Sequence, residues 1–359
     1  MLRFVFKRLL YGLLVLLGVV TLVFFLFNIL PGDPARMMLG QRADQESIAI
    51  INRDLGRDKP VGLQYLNYLN DLAPLSFHNN SDSASFFFLS DEKYAPYTTL
   101  MRVGSTSVVL KAPYLRRSYQ SQRRVSEILS TAFPQTALLA VVAMLLAMLL
   151  GITLGVLSAL HKDTWVDRTI LVFSTLGMSL PSFFAAILIA WLFAYVLADW
   201  THLNMFGNLY TVDDYGCGEY IDLKNLILPA LTLGIRPLAT LTQLTKNSML
   251  EALSQDYIRT ARAKGLSHRR VVVHHALRNA LNPVVTSASG WLASLLAGAV
   301  FVEYVFDWKG MGVVIVDGLE KYDFPVVMGT ILFICLLLVI INILTDILYG
   351  LLDPRVRVQ

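Results

Sequence analysis

The sequence predicts an all-α membrane protein with six transmembrane helices and an extracytoplasmic insert after the first helix. Three observations carry that expectation. Hydrophobic residues make up 55% of the chain and charged residues only 16%, which is far from the profile of a soluble domain. Continuous apolar runs recur at 9–30, 134–160, 170–197, 226–244, 283–302 and 325–348, each about as long as the 20 or so helical residues that a 30 Å hydrocarbon core needs. The runs contain Pro and Gly and do not alternate with polar residues, which argues for helices over a closed barrel.

The first run follows Arg3, Lys7 and Arg8 and continues without a small-residue cleavage site to Pro31, Gly32 and Asp33. It reads as a retained anchor, residues 1–30, with its amino end in the cytoplasm. Later loops agree with that start. The connection 246–278 carries Lys246, Arg259, Arg262, Lys264, Arg269, Arg270 and Arg278 against Glu251 and Asp256, and the tail, 354–359, adds Arg355 and Arg357. Both are expected in the cytoplasm. The connections 198–225 and 303–325 are acidic, with Asp199, Asp213, Asp214, Glu219, Asp222, Glu303, Asp307, Asp317, Glu320 and Asp323 opposed only by Lys224, Lys309 and Lys321, and read as external. The formal net charge of +4 therefore reports orientation and implies no nucleic-acid partner.

Residues 31–133 read as an extracytoplasmic domain, and 134–353 as a core with five further helices. Within the insert Leu63, Leu66, Leu69 and Leu72 recur every three residues with Tyr65 and Tyr68 between them, which predicts a short amphipathic helix over 62–72. Asn79, Asn80, Ser81, Asp82 and Ser83 suggest a loop, followed by Phe86, Phe87 and Phe88 as a strand or a buried anchor.

Several chemistries are excluded. Cys217 falls in an external loop and Cys335 inside the last run, so they do not pair. His161, His202, His268, His274 and His275 lack metal-ligand spacing with Cys or acidic partners. No GxxxxGK[ST] loop is present, so no ATP chemistry belongs to this chain, which needs no cofactor and is not an enzyme.

Two places invite function. Around 256–266, Ser254 is placed to cap a short helix with Asp256 in its first turn, Lys264 and Gly265 close it, and Ser267 starts a second helix running to Pro283. Ala261, Ala263 and Gly265 permit close approach by another surface, while Tyr257, Ile258 and Leu266 offer apolar anchors. Arg236 lies near the middle of an apolar run, where insertion costs about 2.5–3.5 kcal/mol. Two readings stay open: its guanidinium satisfies the Leu233 carbonyl that Pro237 leaves unpaired, or it stands on the wall of a translocation cavity and attracts a carboxylate, with Asp346 a candidate partner.

At these residues the sequence resembles the inner-membrane permeases of ATP-binding-cassette importers, in the dipeptide and oligopeptide branch. The segment Asp256 to Leu266 matches that branch's Asp-Tyr-x-Arg-Thr-Ala-Arg-Ala-Lys-Gly-Leu, with Arg259, Thr260 and Ala261 in place of the wider family's Glu-Ala-Ala. Further matches run from Leu30 to Pro34, Ser179 to Phe183, His275 to Pro283, Tyr322 to Gly329 and Asp353 to Arg355. The stretch 77–115 has no counterpart.

The resemblance implies a MetI-like permease fold in a bacterial inner membrane with both termini cytoplasmic. It implies a coupling helix, carried by Asp256, Tyr257, Arg259, Ala261, Ala263, Lys264, Gly265 and Leu266, seated in an ATPase groove. Implied partners are a second homologous permease, two ATP-binding subunits and an extracytoplasmic solute-binding protein, with membrane lipid around them. Peptides are the implied cargo. Nickel chelates or other small solutes are the alternative, and an ion-driven secondary transporter, which would show inverted repeats or paired buried acids, is the more distant one.

Overall fold

The computed structural model describes residues 2–29, 45, 52, 58–80, 85–212 and 218–352. The motif from Leu30 to Pro34, the loop acids Asp213 and Asp214, Cys217 and the tail with Arg355 and Arg357 lie outside the described residues.

The chain is a helical multi-pass membrane protein. Helix α1 spans Leu2–Ile29 and α2 Val61–Leu72, followed by strands β1 (Leu75–Asn79), β2 (Tyr97–Val103) and β3 (Thr106–Lys111). Then come α3 (Val125–Leu160), α4 (Trp165–Ser179), α5 (Ser182–Trp191, continued by a π-helical turn, Leu192–Val196) and a small hairpin of β4 (Tyr210–Val212) with β5 (Glu219–Ile221). Helices α6 (Lys224–Ser254), α7 (Asp256–Ala263), α8 (Arg278–Gly298, entered through a π-helical segment, Val271–Leu277), α9 (Val300–Val305), α10 (Met311–Glu320) and α11 (Phe324–Leu352) complete it.

Among the described residues α1, α3, α6 and α11 are the 4 helices long and apolar enough to cross a membrane, and 5 spans result if the bent pair α4–α5 is one of them. The run expected to be a single span over 170–197 is broken at Leu180, and its two arms diverge by 114°. Pro181 is the cause: it lacks an amide hydrogen and drives Leu180 out of the helical region to φ −72, ψ 132. The run expected over 283–302 is also differently made. Helix α8 passes through Pro283, stops at Gly298 and resumes as α9. Its Asn279, Asn282, Thr286, Ser289 and Ser294 dilute the apolarity that marks the other spans.

The contacts gather into two compact units, one built from 6–131 and 314–336, the other from 132–313 with 1–5 and 337–359. In the first, Val23, Phe24 and Phe27 of α1 pack with Tyr68 of α2 and Val327, Met328 and Leu332 of α11. Helix α2 matches the helix expected from the leucine repeat. Asp323, just ahead of α11, accepts a hydrogen bond from the amide of Tyr119 at 2.9 Å and another from the Ser118 hydroxyl, which fixes the chain that leads into α3.

The sequence reading did not find the antiparallel sheet β1-β3-β2. Its strands follow a β-branched pattern, Thr98, Thr99, Val103 and then Thr106, Val108, Val109, with Gly104 and Ser105 as the two-residue loop between Val103 and Thr106. Phe88 bridges to Asn79, and Phe86, Phe87 and Phe88 form a half-buried turn, neither a strand nor a fully buried anchor. The sheet is amphipathic in the inverse sense. Phe77 is 61% exposed and Leu75 and Leu110 also face out, while Ser76, His78, Ser107 and Lys111 are buried.

Much of that polar interior is paired. The Tyr94 hydroxyl donates to Asp71 Oδ1 at 2.7 Å, Lys111 Nζ donates to the Asp71 carbonyl at 2.6 Å and lies 4.8 Å from the centre of the Tyr94 ring, and Ser76 Oγ lies 3.0 Å from His78 Nε2. Burial pushes the Asp71 carboxyl above its ordinary range against the pull of Arg116. Burial also lowers the Lys111 ammonium to about 8 and the His78 imidazole to about 4, the latter helped by the Lys111 charge.

Acid therefore protonates His78 in the unfolded chain first. Its contribution is intact above the ordinary histidine value of about 6.5 and is lost as pH falls through that range towards the folded value. Asp71 acts in the opposite direction, and Lys111 stays protonated throughout. Between pH 7 and 5 the native protein is expected to lose about 2 kcal/mol more local stability than His78→Gln. Hydrogen exchange of the β1 and β3 amides in the full chain measures it, and equal acid sensitivity of the two proteins contradicts the assignment.

Candidate functional site

The segment 256–266 forms a helix closed by a glycine turn. Gln255, with φ −74 and ψ 152, is the residue that precedes α7. Ser254 does not cap it: it is still the last residue of α6, and its hydroxyl donates to the Glu251 carbonyl at 2.7 Å. A cap needs extended backbone, and that begins one residue later. Ser267 does stand at the cap position of the following turn, but its side chain makes no capping bond.

At the other end Gly265 has φ +75, the left-handed conformation that glycine adopts without a Cβ penalty. The Leu266 amide donates to the Ala261 carbonyl at 3.3 Å and the Gly265 amide to the Arg262 carbonyl at 2.9 Å, the paired bonds of a Schellman motif. The second helix does not end at Pro283. It continues through the π-helical segment into α8.

Helix α7 presents two different faces. Ile258 and Ala261 are buried against Met249 and Ala252 of α6, Ala159 of α3 and Val271, Val272 and Ala276. Ala261 and Ile258 hold α7 to its own chain, and Leu266 is half-buried on the same cluster. The remaining members of the expected set, Asp256, Tyr257, Arg259, Ala263, Lys264 and Gly265, are exposed. Arg262 joins them, and Arg259 pairs with Asp256 at 3.4 Å in the open. The result is a small basic, aromatic-edged surface on a rigid base.

Arg236 is exposed on α6. Among the described residues its guanidinium makes neither a bond to a carbonyl freed by Pro237 nor an ion pair with Asp346, so the local reading is not realised. It begins a polar row at helical spacing, Arg236, Thr240, Gln243, Asn247 and Glu251, none of them buried. Helix α8, which packs on α6, has a comparable row of exposed Asn279, Asn282, Thr286, Gly290 and Ser294. Such rows do not belong against hydrocarbon; they fit water or another polar protein surface.

Glu303, read from the sequence as an external loop acid, and Asp167, which that reading did not single out, are both buried. Glu303 is fully buried: Oε1 accepts from the Thr136 hydroxyl at 2.7 Å and Oε2 from the Gly312 amide at 2.6 Å, while the Trp308 indole donates to the Gln135 carbonyl at 3.1 Å. Together they fold the loop after α9 onto α3. Asp167 pairs with Lys246 of α6 at 2.7 Å; nothing local in the sequence joins residues so far apart.

Long apolar helices and polar rows turned away from their own core define a membrane-transport component. Comparison with known proteins makes this specific. The family described as binding-protein-dependent transport system inner membrane component matches residues 151–358, and its N-terminal counterpart matches 1–83. The chain is 36% identical to the di/tripeptide transport system permease protein of Pseudomonas aeruginosa over 100% of both chains. It is 34% identical to the glutathione transport system permease protein of Salmonella typhimurium and 33% identical to the dipeptide transport system permease protein of Escherichia coli K12, each over 99% of both chains. The chain belongs to the binding-protein-dependent transport system inner-membrane component family, the permease subunits of ATP-binding-cassette importers. It is thus a non-catalytic subunit that works with a paired permease, two ATP-binding subunits and an extracytoplasmic solute-binding protein.

The two faces of α7 should respond differently to bulk. Ala261→Trp overpacks the cluster and is expected to cost about 1–3 kcal/mol, whereas Ala263→Trp on the exposed face stays within about 0.5 kcal/mol. Thermal melting of the purified permease in detergent separates them. Equal loss in both contradicts the assignment of faces.

Proposed function

We propose that this chain is the permease through which di- or oligopeptides enter the cell, driven by ATP-binding subunits that grip the exposed face of α7. The observation that carries this reading is the division of α7 into a face locked to its own chain and a free face of Tyr257, Arg259, Arg262, Ala263 and Lys264. A helix built that way transmits force from a partner to α6 and α8. Peptide cargo is supported by the relatives, whose names specify di/tripeptides, dipeptides and glutathione, itself a tripeptide. Nickel chelates find no comparable support.

In this reading six passes are made by α1, α3, the bent α4–α5, α6, α8 with α9, and α11. The amino and carboxyl ends and 246–278 are cytoplasmic, and 31–133 is extracytoplasmic, an orientation supported by the basic and acidic loop charges. ATP favours one state of the closed ATPase pair, and α7 passes that preference to the membrane helices as a shift in population between two access states.

Tyr257→Ala with Arg262→Glu removes an apolar edge and reverses a charge without touching the buried face. The assembled complex is expected to lose its ATP-binding subunits on co-purification, at least about tenfold, while the permease inserts and melts normally. Full retention of the ATPase rejects the docking face.

Arg236 belongs, in this proposal, to the translocation path, where its charge remains hydrated and draws the peptide carboxylate. Arg236→Met keeps length and apolar packing but removes charge. Uptake of peptides with a free carboxylate is expected to fall by about tenfold relative to their amidated forms, a difference of about 1.4 kcal/mol. Equal uptake of both forms, in a complex that still assembles and hydrolyses ATP, rejects the role.

A further inference from the structure

Asp167 lies in the first turn of α4, and its side chain is only 5% exposed. Its carboxylate receives Lys246 Nζ at 2.7 Å, the Ser158 hydroxyl from the end of α3, and the Asp163 amide at 3.1 Å from the turn between α3 and α4. The Lys246 side chain, 12% exposed, comes from α6, one turn ahead of Met249 in the cluster that grips α7. Helices α3 and α6 meet closely at the same level: a Cβ on Gly155 would lie 2.5 Å from Thr245 Cβ and 2.6 Å from the Thr242 carbonyl. Only glycine lets the two backbones approach this far.

The arrangement ties three helices at one point. The end of α3, the start of α4 and the last turns of α6 are joined by a buried ion pair with every carboxylate oxygen engaged, and α6 carries α7. At the far end of α4 the chain breaks at Leu180 and turns by 114° into α5. A displacement of α7 therefore reaches that break through α6, Lys246 and Asp167. An ion pair suits this task better than apolar packing, because it holds one geometry and does not slide. For stability alone a well-packed apolar pair serves at least as well.

We propose that Asp167 and Lys246 are positioning residues for energy coupling, a buckle that makes α4 and its broken continuation α5 follow the movement of α7. Neither residue touches the ATPase or the cargo. The proposal rests on the reading of α7 as the ATPase-docking helix, and the test separates the two.

Asp167→Asn, Lys246→Met and the double variant are compared in the complete importer with its binding protein. Each single change strands one buried partner and lowers thermal stability. The double change removes both charges, leaves one amide oxygen to accept from the Asp163 amide and an amide nitrogen that can donate to the Ser158 oxygen, and restores stability. If the pair is a buckle, the double variant melts near the native temperature, keeps its ATP-binding subunits and hydrolyses ATP, yet imports at least about fivefold less cargo per ATP. Recovery of cargo per ATP together with stability overturns the proposal, as does a double variant that fails to assemble, since the pair then serves the fold alone. Retention of the ATP-binding subunits by the double variant, set against their loss in the Tyr257 and Arg262 variant, distinguishes failure of the buckle from failure of the docking face.

Discussion

A helix in hydrocarbon satisfies its own backbone, and α6 does so while giving up most of its contact with lipid: 67% of its most apolar window is buried inside the chain. The rest of the larger unit depends on this. Leu226, Leu228, Leu233 and Leu241 enter the main core with Leu139 and Ala143 of α3 and Val284 and Leu295 of α8. Toward its end Met249 and Ala252 start the second cluster, which holds α7. Because hydrophobic burial gives no drive between helices already in lipid, close packing and polar bonds have to supply it. The small residues of α3, Ala140, Ala143 and Ala147, all buried, allow that approach.

Places where the helical ladder is broken stand beside places where the chain is fastened. Leu180 and Pro181 separate α4 from α5, Ala299 separates α8 from α9, and π-helical turns lie at Leu192–Val196 and Val271–Leu277. Against these stand Glu303 with Thr136 and Gly312, and Asp167 with Lys246, in both of which the carboxylate is buried and bonded through each oxygen. A structure that switches between two states needs both kinds of element: breaks absorb changes in backbone angle, and fastenings carry them without loss. The break after α4 and the buried pair at its start thus belong to one helix with two mechanical ends.

The first unit solves a different problem. Its sheet puts serine, histidine and lysine inward and leucine and phenylalanine outward, the reverse of a soluble half-sheet. The inversion is sustained by Asp71, Tyr94 and Lys111, which bond to one another and offset part of the cost of burying them. Asp323 in turn holds the turn at Ser118 and Tyr119.

The sequence by itself determined the membrane class, the helical nature of the spans, the amphipathic α2 and the glycine closure at Gly265. Each of these follows from composition, local period or a backbone angle that one residue type favours, and such signals are complete within a few turns of chain. It also singled out α7, reading Ala261 as a small side chain for close approach and Ile258 as an apolar anchor; only the folded chain shows both packed inward against residues of α3 and α6. The strands at 97–111 had a pattern, yet their outward leucines pointed away from a core, so polarity misled where β-propensity was correct. The shape of the runs at Leu180 and in α8 was not legible, because hydropathy sums side chains and does not register a bend or a polar row facing away from lipid. The burial of Glu303 and Asp167 was beyond reach, since an acid in a loop and an acid in a buried pair have the same local sequence. What distinguishes them is a partner 167 positions away in the case of Glu303 and Thr136, and only the folded chain brings such partners within hydrogen-bonding distance.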